Sequence, residues 1–172
     1  AGRAESDAAR PRRVLGATKA WSRGGYTWVV QTPGGWGALG MAAEFLRLCN
    51  PATTVWVSTP TWANHLPLLG GAGLTIREYP YLNRDTLQVD FAAMLESLEG
   101  AKTGDVVLLH GCCHNPSGAD LSFEQWQEVT ALIQRKGLLP FVDMAYQGLG
   151  DGLEQDAAGL RYLASQVPEM LV

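Results

Sequence analysis

Residues 105–146 read DVVLLHGCCHNPSGADLSFEQWQEVTALIQRKGLLPFVDMAY, and the fold class turns on how that stretch is parsed. Val106–Leu109 is apolar without alternation, as a strand covered on both faces must be. Ser122 and Gln125 have the S-x-x-Q spacing of a capping box, and Trp126, Val129 and Ile133 recur behind it at the helical period. Leu138–Val142 is a second apolar strand. Strand, amphipathic helix and strand in succession predict an α/β fold with a largely parallel sheet.

Outward from this unit the alternation continues. Thr27–Thr32 (TWVVQT) reads as a strand or strand end. Gly34–Gly37 reads as a glycine-rich turn opening a helix through about Leu48, with Leu39, Ala42, Phe45 and Leu46 on one face. Val55–Ser58 is a short strand. Pro67 starts or kinks the next helix, because it lacks a backbone donor; Gly70, Gly71 and Gly73 close that helix before a strand at Leu74–Tyr79. Asp90 is placed to cap a helix that groups Phe91, Leu95 and Leu98, and Leu153–Ala164 forms the last helix. No fixed-period repeat is present, which excludes a solenoid.

Bulk properties narrow the function. The 172 residues, 47% hydrophobic and 17% charged, are enough for a buried core. A formal charge of −4 argues against a general nucleic-acid binder, and no apolar run approaches the ~20 residues that span a bilayer. The cysteines, Cys49, Cys112 and Cys113, are odd in number and partly adjacent, which fits a reducing compartment such as the cytoplasm better than a disulfide framework. His110, Cys112, Cys113 and His114 invite a zinc reading, but no second spaced ligand pair accompanies them, so no metal is assigned. Residues 1–25 carry six of the thirteen basic residues against two acids. An Arg-rich transit peptide and a disordered or foreign extension over residues 1–26 both fit, and the extension is the simpler reading.

Ligands of such sheets bind beyond the carboxyl ends of the strands. Four segments qualify: Gly34–Gly37, Thr59–His65, His110–Gly118 and Asp143–Tyr146. Gly35-Trp36-Gly37-Ala38-Leu39-Gly40 matches G-x-G-x-x-G, but the next strand ends Val57-Ser58-Thr59-Pro60 without the acid a dinucleotide ribose needs. What survives is a helix start with exposed amides, suited to a phosphate. Trp62 is either a core tryptophan or a stacking surface for a flat ring. Asp143 is a helix cap or the counter-charge of a cationic ring nitrogen; Asn115 is a turn residue or a donor. Together these residues describe a site for a flat, phosphorylated, protonatable ring.

Gln31–Leu39 (QTPGGWGAL), Val55–His65 (VWVSTPTWANH), Asp105–Gly118 (DVVLLHGCCHNPSG) and Pro140–Gly148 (PFVDMAYQG) resemble, in order, motifs of the class I aminotransferases, closest to the bacterial aspartate and aromatic amino-acid enzymes. The resemblance runs from about residue 30 to the last residue. It implies a three-layer α/β/α large domain of fold type I, a homodimer, and pyridoxal 5'-phosphate as cofactor for exchange between amino-acid and 2-oxo-acid substrates. Carried across, Gly35 and Trp36 lie at the cofactor phosphate, Trp62 stacks on its ring and borders the substrate, and Asn115 and Tyr146 bond the ring 3-oxygen. Asn115 also approaches the substrate carboxylate, Asp143 pairs with the ring nitrogen, His65 supports Asp143, and Gly34 lies near the substrate.

Two departures stand out. The family usually has Thr or Ser where this chain has Trp36, so a hydroxyl donor at the phosphate is replaced by an indole. The family's Schiff-base lysine follows the strand that begins near Met170–Val172, where this chain ends; Lys19, Lys102 and Lys136 stand in no comparable motif, and no catalytic lysine is assigned. The expectation is a partial cofactor-binding large domain over residues 27–172, inactive alone. The alternatives are a non-catalytic remnant that binds the cofactor or serves as a dimer partner, and a Rossmann-type dinucleotide binder.

Overall fold

The computed structural model describes residues 28–172, so the expected extension over 1–26 lies outside the described residues. Four strands, β1 (Thr54–Thr59), β2 (Thr75–Pro80), β3 (Val106–His110) and β4 (Leu139–Asp143), form one parallel sheet in the order β2-β1-β3-β4. Leu171 continues it beyond β4: its N–H donates to Pro140 O at 3.0 Å and its carbonyl accepts from Val142 at 2.9 Å. The helices are α1 (Gly34–Cys49), α2 (His65–Gly71), α3 (Phe91–Leu98), α4 (Phe123–Lys136) and α5 (Ala158–Gln166).

Successive strand side chains point to opposite faces, and that parity divides the core in two. Trp56, Val107, Leu109 and Val142 face α3, α4 and α5, where they meet Met94, Leu98, Trp126, Ile133 and Leu163. Val55, Val57, Val106, Leu108 and Phe141 face α1 and α2, where they meet Leu39, Ala43, Leu46 and Leu69. This is the expected three-layer α/β/α arrangement: β1, β3 and β4 are buried on both faces and do not alternate, whereas the edge strand β2 exposes Arg77 and Glu78.

Local chemistry sets the element ends. Ser122 accepts from Gln125 N at 3.2 Å while Gln125 Oε1 accepts from Ser122 N at 2.9 Å, completing the capping box, and Gly137 ends α4 in the left-handed region at φ 64°. Asp90 caps α3 through Ala93 N at 3.3 Å. Pro67 sits in the first turn of α2, where its missing N–H costs nothing. A Cβ on Gly159 would fall 2.3 Å from the Trp126 ring, so only glycine lets α5 approach α4 this closely.

Several expectations are corrected. Residues 28–32 form no strand, and Trp28 and Val30 are exposed, because no strand among the described residues supplies the ladder that strand propensity alone cannot replace. Thr27 lies outside the described residues. Gly34–Gly37 is not a turn before α1 but its first turn. The buried face of α1 is Leu39, Ala43 and Leu46, leaving Phe45 53% exposed. α5 starts at Ala158 rather than near Leu153, because Gly148, Gly150 and Asp151 donate their N–H groups to Asp156, folding the intervening segment into turns around its carboxylate.

Candidate functional site

Parallel strands end in register on one edge, and their last residues open the site: His110 of β3 pairs directly with Asp143 of β4. Gly111 N donates to Asp143 O at 2.8 Å, and a Cβ there would meet the end of the Met144 side chain at 2.6 Å, so a larger residue would have to displace that thioether where the loop crosses β4.

Beyond these ends lies a cleft of about 340 Å³. Gly34, Gly35 and Trp36 border it from the start of α1, Trp62 from the loop after β1, Asn115 from the loop after β3, and Asp143 and Tyr146 from the end of β4. His65 does not line it. It lies behind Asp143, fully buried, with Nε2 3.1 Å from Asp143 Oδ2 and Nδ1 2.6 Å from Thr61 Oγ1. The Asp143 side chain is 22% exposed, so one side of the carboxylate is held by His65 while the group still opens to the cleft.

The paired alternatives can now be weighed. No helix follows Asp143, so it is not a cap. Trp62 is half-buried, sets its ring edge-on to His65 with centroids 5.4 Å apart, and faces the cleft. Asn115 occupies a turn and lines the cleft as well. At α1 no side chain caps the first turn, and Gly34 and Gly35 have open space where a Cβ would stand, so an anion can approach the amides. Trp36 projects outward, 62% exposed. The Gly35–Gly40 pattern lies wholly inside α1 with no strand at 28–32 before it, which removes the strand-turn-helix setting of a dinucleotide fingerprint.

Residues not singled out for this site also contribute. His110 and Cys112 line the cleft, and Thr61 links His65 to His110, whose Nε2 is 3.3 Å from Thr61 Oγ1. His114 Nε2 lies 3.0 Å from Ser58 Oγ and its Nδ1 2.8 Å from Ser117 Oγ, while its ring stacks on Tyr81 at 4.1 Å. Burial pushes the His110 imidazole down to about 3, reinforced by His114 and His65, and burial pushes His114 down to about 4 against the pull of Asp120. Burial also raises the Cys112 thiol to about 12, with Cys113 adding to the effect. The sequence signal for His110 and Cys112 was their place at a strand's carboxyl end. No lysine lines the cleft among the described residues.

The donor set is chemically coherent: an open carboxylate backed by a buried imidazole, an amide, a phenol, an indole face, and a helix start without a side-chain cap. It fits a flat ring bearing a basic nitrogen, a hydroxyl and a phosphate.

Comparison with known proteins agrees. The family described as Aminotransferase class I and II matches residues 27–172. An aromatic-amino-acid aminotransferase of Paracoccus denitrificans is 50% identical over 146 residues, covering 85% of this chain and 37% of that protein. An aspartate aminotransferase of Escherichia coli K12 is 51% identical over 142 residues, covering 83% and 36%. The crystal structure of an aromatic-amino-acid aminotransferase of Burkholderia pseudomallei, covalently bound to pyridoxal phosphate, superposes with a TM-score of 0.93 at 40% identity, over 97% of this chain and 42% of that one. The chain thus spans somewhat more than a third of the length of these relatives.

Proposed function

Because this chain belongs to the class I and II aminotransferases, we propose that it forms the cofactor-binding part of an amino-acid aminotransferase, acting on aspartate or an aromatic amino acid with a 2-oxo acid, and that its cleft takes pyridoxal 5'-phosphate. The observation that carries this reading is Asp143 at the cleft wall, backed by the buried His65 at 3.1 Å, in the same cleft that the open start of α1 borders. When bound, the cofactor supplies an electron sink for the substrate's α-carbon.

The chain's own residues would then act as follows. Asp143 would hold a proton on the ring nitrogen, since an adjacent carboxylate favours the charged form. His65, bonded to Oδ2, would fix the plane of that carboxylate. Asn115 and Tyr146 would donate to the ring 3-oxygen, and Asn115 would also reach the substrate carboxylate. Trp62 would cover one ring face, exclude water and border the substrate. Gly35 and the backbone at Trp36 would hold the phosphate, with Gly34 beside the substrate.

Two further features belong to this reading. Met41, Phe45 and Leu48 form an apolar stripe on the outer side of α1, 48%, 53% and 73% exposed, which supports burial against a second copy in a homodimer. The three cysteines are unpaired, which supports a reducing, cytoplasmic setting.

Titration of the protein with pyridoxal phosphate, followed by tryptophan emission, tests the proposal. Saturable quenching that Asp143→Asn weakens is expected. Saturation by NAD with no response to pyridoxal phosphate would replace it with the dinucleotide reading.

A further inference from the structure

We propose that Cys112, Cys113 and Asp156 form a binding site for a soft divalent cation of the zinc and cadmium class, set beside the wall of the cleft. One donor atom from each lies within 4.8 Å of the others: two sulfurs and a carboxylate oxygen. Two sulfurs sharing a tetrahedral zinc at about 2.3 Å each stand roughly 3.8 Å apart, so small side-chain rotations bring this set to coordinating distance. Thiolate with carboxylate selects that ion class, whereas magnesium and calcium take oxygen alone. Met144 Sδ, 3.5 Å from Cys112 Sγ, places another soft donor alongside.

The donors are held by the backbone. Cys113 adopts φ 48°, a left-handed conformation that non-glycine residues seldom occupy. It is fixed there by Asp120, which accepts from the N–H groups of Cys113 at 2.7 Å and His114 at 2.8 Å. Asp156 accepts from Gly148, Gly150 and Asp151 at 2.7, 3.0 and 2.7 Å. The neighbouring histidines bond Thr61, Ser58 and Ser117, and the donor atom that clusters with the two sulfurs is an oxygen of Asp156, from the turns before α5. On binding, two sulfur–metal bonds form and the two thiol protons pass to solvent. The site stands independently of the aminotransferase reading.

The test adds Cd²⁺ to the reduced protein carrying Cys49→Ser, which removes the exposed third thiol. A thiolate-to-cadmium charge-transfer band should rise in the ultraviolet and saturate at one equivalent, with two protons released. The Cys112→Ser/Cys113→Ser double variant should lose that increment, and Asp156→Asn should weaken binding at least tenfold while keeping the band. No band in the parent, or an equal band in the double variant, overturns the site. Because Asp156 also orders its loop, circular dichroism checks each variant; should Asp156→Asn misfold, the serine pair decides alone.

Discussion

His65 Nε2 lies 3.1 Å from Asp143 Oδ2, joining a wholly buried imidazole at the start of α2 to the last residue of β4, 78 positions away in sequence. A pair of this kind couples the stability of the sheet edge to the chemistry of the cleft. His65→Ala should cost about 1–3 kcal/mol, since Thr61 loses the shorter of its two histidine contacts, Asp143 loses its imidazole partner and a buried space opens. In a double-mutant cycle with Asp143→Asn, the two changes should interact by about 0.5–3 kcal/mol in denaturant unfolding. Strict additivity would mean the contact carries no energy.

At the cleft face of the same carboxylate, Asp143→Asn removes the charge that would favour a protonated ring nitrogen. Affinity for pyridoxal phosphate should fall about 10–100-fold, the worth of a charge-assisted hydrogen bond. An unchanged dissociation constant in the fluorescence titration would dissociate Asp143 from the cofactor.

Trp36 projects outward beside the amides of the first turn of α1. Trp36→Thr should strengthen phosphate binding by about 1–3 kcal/mol through one added donor. Equal affinity of the two proteins for pyridoxal phosphate would show that the indole costs nothing there.

The histidine network predicts an acid-sensitive fold. His110 and His114 are held neutral by burial, down to about 3 and about 4, against an unfolded value near 6.5. Below pH 6.5 the unfolded chain therefore binds more protons than the native one. The contribution of these groups is complete above that pH and declines as pH falls toward about 4 for His114 and about 3 for His110. Unfolding midpoints should drop through this window, and His114→Gln should flatten the decline; an identical profile for that variant counts against His114 as a source.

Helix α4 offers a purely local test. Ser122→Ala removes the side-chain half of the capping box and should cost about 1 kcal/mol, whereas Ser122→Gly should cost only a few tenths. Thermal denaturation that ranks the two variants in the opposite order would contradict this account of the helix start.

Much of this molecule is local chemistry. The apolar runs of β1, β3 and β4, the capping box at Ser122 and the N-cap at Asp90 depend on neighbours a few positions away, and their periodicity already prescribed a largely parallel sheet covered on both faces. The rule that ligands gather beyond strand ends likewise placed Trp62, Asn115, Asp143 and Tyr146 at the strand ends and loops that line one cleft.

Packing decided the rest, because it depends on partners that no local pattern names. Residues 28–32 have strand-like composition but no ladder to join among the described residues, and Ala43 rather than Phe45 takes the buried side of α1 because the sheet fixes the helix's rotation. His110 and His114 turn toward Thr61, Ser58 and Ser117, while Asp156, more than forty positions away, comes to rest beside Cys112 and Cys113. Sequence spacing governs which residues can share a face; only the assembled sheet, by bringing its loop ends together, governs which of them meet.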